Sequence, residues 1–180
     1  MSETSTPIRL AQAVGLTGAA YLAGNIFAYS FATIPALQAS QSTHNAPAPL
    51  LAKQWSELYA RGHAQNPPIA AITATAFMYL AYSMHSEKSA VLNALAPKNA
   101  LYLYSTAAAL TVGIVPWTII AMAKTNNALH ERAKDIFLLS EKTGDEVKEL
   151  LARWKVLNAI RGVLPLMGGL VGFLAFYTGQ

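Results

Sequence analysis

Residues 99–123 read N-A-L-Y-L-Y-S-T-A-A-A-L-T-V-G-I-V-P-W-T-I-I-A-M-A, an unbroken run without a charged side chain. A helix needs about 20 apolar residues to cross the hydrocarbon core of a bilayer, so this stretch predicts a membrane span. Working outward, residues 10–52, 62–86 and 162–180 are also free of charge. These windows occupy more than half of the 180 residues. Only 12% of the chain is charged, against about 25% in a soluble domain, and mean hydropathy is +0.30. A soluble cytosolic domain is excluded on these grounds. The expected fold is an all-α integral membrane four-helix bundle, one domain over 1–180, with spans near 10–37, 67–84, 99–123 and 156–177.

The chain has no cysteine, which removes disulfides, thiolate metal sites and cysteine nucleophiles. Its pI of 9.4 and net charge of +4 do not point to nucleic acid. The cations alternate with acids between Lys124 and Arg161, and no nucleic-acid motif is present. Basic residues flanking membrane helices account for them.

The apolar stretch Leu10–Leu37 exceeds the core of a signal sequence, so a retained helix is expected, with cleavage after Ala39 as the alternative. Gln38–Pro49, rich in Ser, Ala, Pro and Asn, reads as a loop. Residues 50–63 (LLAKQWSELYARGH) predict a short amphipathic interfacial helix. Lys53, Glu57 and Arg61 mark one face, and Leu51, Trp55, Leu58, Tyr59 and Gly62 mark the other. Pro67–Pro68 is expected to end it and open the second span. The third helix is expected to run unbroken from Asn99 through Met122 toward Leu139. Thr143-Gly144-Asp145-Glu146 is a capping-box pattern, predicting the start of a fourth helix that runs on to Tyr177. Helices three and four then form a long hairpin folded near residue 141. That register sets Asn126 and Asn127 opposite Asn158–Arg161, and Pro116 level with Pro165.

Ten of the thirteen Lys and Arg residues fall in 38–68 and 123–161. The positive-inside rule makes those segments cytosolic, with both termini on the other side.

On the fourth helix, Trp154, Asn158, Arg161, Pro165, Gly168 and Gly172 share one stripe. Gly168 and Gly172 suit close helix approach. Pro165 frees the carbonyl of Arg161. An arginine near a span end commonly snorkels to the interface. Here Asn158, the freed carbonyl and Asn126 converge beside it, which favours a ligand site. Asn25, midway along the first span, predicts either a bond to another helix or a ligand contact. Trp55 and Tyr59 read as interfacial anchors or as the lid of a pocket. Thr118 reads as backbone repair beside Pro116. His44, His63, His85 and His130 show no metal or haem spacing, and no nucleotide motif is present, so no cofactor is visible.

Four pieces together resemble a known family. They are I-P-A-L at 34–37, W-S-E-L-Y-A-R-G at 55–62, P-W-T-I-I-A-M-A-K-T-N-N-A-L at 116–129 and R-W-K-V-L-N-A-I-R-G-V-L-P-L at 153–166. The chain resembles, over its whole length, the anthrone oxygenase-like membrane proteins of fungal polyketide pathways. The resemblance implies oxidation of an anthrone to the anthraquinone by dioxygen, without metal or flavin, through the anthrolate carbanion. A hydrophobic polycyclic substrate, a lipid bilayer, a homo-oligomer and an endomembrane location (endoplasmic reticulum or vesicle) go with it. On that basis Arg161 stabilises developing negative charge, Asn158 and Asn126 donate hydrogen bonds, and Tyr59 or His63 is the base. Trp55 and Trp117 stack on the rings, and Asn25, Thr118, Asn127 and Trp154 complete the substrate contacts. A non-enzymatic membrane protein that binds lipid or partner membrane proteins is the alternative, because a glycine stripe and an amphipathic hairpin serve it equally.

Overall fold

The computed structural model describes residues 6–85, 99–134 and 141–177. The described residues are helical, with no strand. In chain order the elements are α1 (Thr6–Ala28), a π-helical turn (Tyr29–Thr33), α2 (Ile34–His44), α3 (Ala48–His85), α4 (Ala100–Val112), α5 (Ile114–Ile120), α6 (Ala123–Lys134) and α7 (Glu141–Tyr177). Three stretches are long and apolar enough to cross a membrane: Thr6–His44, Ala100–Ile120 and Gly144–Tyr177. About a third of each apolar window is buried within the fold (33%, 28% and 33%), so most of its surface faces outward, as expected when the solvent is lipid.

Proline explains where the helices depart from the sequence reading. Pro35 has no N–H for the carbonyl of Phe31, and its ring needs that carbonyl out of the way. The turn just before it widens to π geometry, and the Ile34 N–H bonds to the Tyr29 carbonyl. Pro67 and Pro68 do not end a helix as expected; both lie inside the continuous α3. The carbonyls they release are those of His63 and Ala64, both exposed residues. The residues expected to form an interfacial helix and a second span therefore belong to one continuous helix, which is not among the three membrane-crossing stretches. Pro116 has no N–H for the Val112 carbonyl, and the expected third helix is broken at Gly113 and again at residues 121–122, into α4, α5 and α6.

The linker Gln38–Pro49 shrinks to residues 45–47. Ser40 and Ser42 bond back to the carbonyls of Ala36 and Ala39 inside the helix, at 3.1 and 3.3 Å. Asn45 closes α2 at φ 53°, a left-handed position that asparagine tolerates. Helix α7 is already formed at Glu141, so Thr143 is not its N-cap; Glu141 and Lys142 are good helix formers and extend it. The charged segment with Glu87, Lys88 and Lys98, and the extension from 135 to Leu139, lie outside the described residues.

The chain forms two compact units. Unit 1 takes residues 1–23, 67–114 and 163–180. Its core centres on Phe77, fully buried with Ala19, Leu80, Tyr104 and Ala107. Unit 2 takes residues 24–66 and 115–162. Its core holds Ile34, Leu51, Trp55, Met122, Leu129, Val147, Leu151 and Trp154. Lys53, Glu57 and Arg61 are exposed while Leu51 and Trp55 are buried, so the two-faced reading of residues 50–63 holds for this half of α3.

In unit 1 the glycine stripe does what small residues do between helices. Gly168 lies against Thr111 and Ala107, and Gly172 and Gly15 both lie against the Phe77 ring. A Cβ at Gly172 would stand 2.5 Å from Phe77 Cε1, and one at Gly15 2.7 Å. Gly172→Ala is expected to cost about 1–3 kcal/mol through overpacking. Thermal unfolding in detergent should show the loss, with partial recovery in Gly172→Ala/Phe77→Leu. A wild-type melting point for Gly172→Ala would refute the packing.

Candidate active site

The polar side chains singled out on α7 all lie in unit 2. Three side-chain pairs tie α7 to the preceding helices: Arg132 to Glu146, Trp154 Nε1 to Asn126 Oδ1 at 3.0 Å, and Arg161 Nη1 to Thr118 Oγ1 at 3.0 Å. They reflect about residues 139 and 140, close to the expected fold point. Trp117 adds an indole bond to the Leu157 carbonyl at 3.1 Å. Asn126 therefore meets Trp154 and not the Arg161 region. Asn127, one residue round the helix, is exposed and joins nothing there.

Asn158 is fully buried and its amide reaches α1, not α6. Nδ2 donates to the Ile26 carbonyl at 2.9 Å and to Ser30 Oγ at 2.8 Å. Ser30 lies in the π turn, and Ile26 is one turn ahead of it. The Ser30 hydroxyl also reaches the Ile26 carbonyl, at 3.4 Å, so the three groups form one small network. Through it Asn158 joins α7 to the first helix. The sequence gives no sign of it, because π turns have no residue signature.

Arg161 is 8% exposed. Among the described residues no carboxylate forms an ion pair with it. Its Nε makes no hydrogen bond. Trp55 Nε1, Asn66 Nδ2, Thr125 Oγ1 and Asn158 Oδ1 are likewise buried without a partner, and all five atoms belong to unit 2. Each unmade bond of this kind costs about 1–3 kcal/mol, more for a charged group. Native interiors pair nearly all such atoms, so their concentration here makes unit 2 the place to look for a site.

Asn25 makes the interhelix bond that was one of its two expected roles: Nδ2 donates to Asn66 Oδ1 at 2.8 Å. Asn66, Tyr29 and Ser30 were not singled out in the sequence. Asn66 sits beside a proline pair that reads as a break, and Tyr29 reads as one more aromatic in a span.

The aromatic side chains form a second group. Trp55 is fully buried, with Tyr59 at 5.3 Å, His130 at 4.9 Å and Trp154 at 5.9 Å between ring centres. Its surfaces are used by protein, so it does not offer the stacking face expected of it; Trp117 is only half buried. Tyr59 lies between two imidazoles, stacked on exposed His63 at 5.7 Å and edge-on to His130 at 5.0 Å. His130 Nδ1 is 3.2 Å from Ser56 Oγ. Burial first, then the charge of Lys134, holds the His130 imidazole below its ordinary value of 6.5. The folded state thus prefers neutral His130, and the unfolded chain binds the proton more readily. Its contribution to stability is present above about pH 6.5 and is lost as pH falls below that value. In His130→Gln, stability measured between pH 7 and 5 should fall less steeply than in wild type. An identical slope would refute it.

The sequence pattern of the anthrone oxygenase family matches residues 55–171. The chain is 36% identical to anthrone oxygenase encC of Aspergillus fumigatus, over 95% of each chain. It is 31% identical to an anthrone oxygenase of Claviceps purpurea, over 93% of this chain and 88% of that one. With the noranthrone monooxygenase of Aspergillus flavus it shares 32% identity, over 88% of this chain and 69% of that one. No solved structure matches the chain. The matched region contains Arg161, Asn158, Tyr59, Asn66 and Thr118, and the protein belongs to the anthrone oxygenase family, a family of oxidoreductases.

Proposed function

We propose that this protein is a membrane-embedded monooxygenase that converts a polyketide anthrone to the anthraquinone, with dioxygen as the oxidant and no resident cofactor. One observation carries the reading: a buried guanidinium without an acidic partner, with an unused N–H, in a chain of the anthrone oxygenase family.

The substrate supplies the chemistry. The methylene of an anthrone is acidic, because losing a proton makes the central ring an aromatic, electron-rich anthrolate. That anion passes one electron to dioxygen. The resulting radical and superoxide combine into a peroxide anion on the former methylene carbon. After protonation, loss of the remaining C–H proton and cleavage of the O–O bond release water and leave the second carbonyl. One oxygen atom enters the product and the other leaves as water. Oxidising the methylene to a carbonyl provides every electron that dioxygen takes up, so no external reductant is needed.

The protein has two tasks in this scheme. It must favour the anion, and it must move a proton. Arg161 faces the ketone oxygen, where anthrolate charge accumulates, and a fixed charge in a dry site is worth far more there than in water. Thr118 holds Nη1, leaving Nε for the ligand. Exposed His63, stacked on Tyr59, is the proton acceptor and passes the proton to solvent. Half-buried Trp117 packs against the rings. A bilayer setting suits a greasy polycycle that partitions into lipid. A fourth span, over residues 67–84 of α3, completes the proposed topology; that stretch carries no charged residue.

Purified protein is expected to consume oxygen with emodin anthrone and to keep its rate in the presence of chelators. Arg161→Ala should lower kcat about 10²–10³-fold, the usual effect of removing one oxyanion donor. Arg161→Lys should retain part of the rate. Unchanged turnover in Arg161→Ala removes that residue from the mechanism, and a flavin, haem or metal spectrum in active protein removes the cofactor-free scheme.

A further inference from the structure

We infer that Asn66 is a second hydrogen-bond donor to the anionic oxygen of the substrate, held in place by Asn25; the inference rests on the oxygenase reading of the Arg161 cluster.

Asn66 is 2% exposed, and its two amide atoms have opposite situations. Oδ1 accepts from Asn25 Nδ2 at 2.8 Å, which fixes the plane and direction of the amide. Nδ2 then points away from Asn25, buried and without a partner. A carboxamide serving only to join two helices would have no reason to keep a buried donor unused.

The surroundings show where that donor points. A Cβ on Gly62, one turn earlier in α3, would stand 3.6 Å from Asn66 Nδ2 and 3.1 Å from the Tyr29 ring. Both stand over the Gly62 Cα, where a side chain would project. Tyr29 adjoins Ser30, whose hydroxyl, with the Ile26 carbonyl, holds Asn158 three residues before Arg161. Residues 25–30 thus meet Asn66 on α3 and the Asn158–Arg161 end of α7, where the guanidinium Nε is also unused. Two unused donors set against one stretch of chain call for an acceptor oxygen. Next to a cation without a carboxylate, that acceptor is an anionic one: the ketone oxygen of a deprotonated phenolic polycycle. Asn25 touches no substrate in this scheme. It is a positioning residue that acts through Asn66.

The test uses full-length protein in detergent, oxygen uptake with emodin anthrone, and anaerobic absorption titration of the bound anthrone to read its ionisation. Asn66→Ala is expected to lower kcat about 10²-fold with little change in KM. The bound anthrone should also ionise at higher pH than in wild type. Asn25→Ala should shift both readouts in the same direction by less, and should add nothing in an Asn66→Ala background. Asn66→Ser is a second variant in case the alanine variant folds poorly; it should also raise the ionisation pH of the bound anthrone in the folded fraction. Wild-type kcat and ionisation in Asn66→Ala or Asn66→Ser overturn the inference alone, as does an Asn25→Ala effect that persists without Asn66. Wild-type protein that oxidises no anthrone overturns this inference and the oxygenase reading together.

Discussion

Each helix that reaches the Arg161 cluster carries a proline within five residues of the side chain it contributes. Ser30 is followed by Pro35, Asn66 by Pro67, and Arg161 by Pro165, and Thr118 comes just after Pro116. A proline removes one N–H and displaces one carbonyl, at a cost of about 3 kcal/mol in a helix interior. In an apolar medium the freed backbone groups must find partners, so polar side chains collect where helices are interrupted. Asn158 lies among them, bonded to the Ile26 carbonyl and to Ser30 in the π turn ahead of Pro35.

The hairpin also holds two arginines in opposite circumstances. Arg132 pairs with Glu146 and both remain partly exposed, an arrangement that contributes little but costs little. Arg161 is buried and bonded to the Thr118 hydroxyl. Desolvating a guanidinium without a counter-charge is expensive, and packing alone gives no return for it. A transient anion bound beside it offsets that cost only while the anion exists. This is the condition for stabilising an intermediate more than the neutral substrate. The proposed anthrolate meets it.

The aromatic residues show how a pattern is read correctly and placed wrongly. Trp55 and Tyr59 lie on the apolar face of their helix, as spacing requires. Spacing alone does not distinguish a face that waits for a ligand from one that packs on protein, and Trp55 proves to pack on His130, Tyr59 and Trp154. His130 shows the converse. With no partner at helical spacing it carried no signal, yet it sits beside Tyr59 because α6 crosses α3 there.

Charge-free windows, the two-faced pattern of residues 50–63 and the stripe on α7 are local properties of the chain. They were enough to determine an all-helical protein with membrane-crossing stretches, and to mark Asn158 and Arg161 as unusual. The partners of those residues were decided only by the fold. A free-standing helix shows the direction in which an amide points but not what lies opposite. Asn158 finds a π turn more than a hundred residues away, and Asn25 finds Asn66. The same limit applies to the prolines: Pro67–Pro68 reads as a stop, yet α3 continues through it, because packing on either side of the pair, Trp55 in one core and Phe77 in the other, holds the helix.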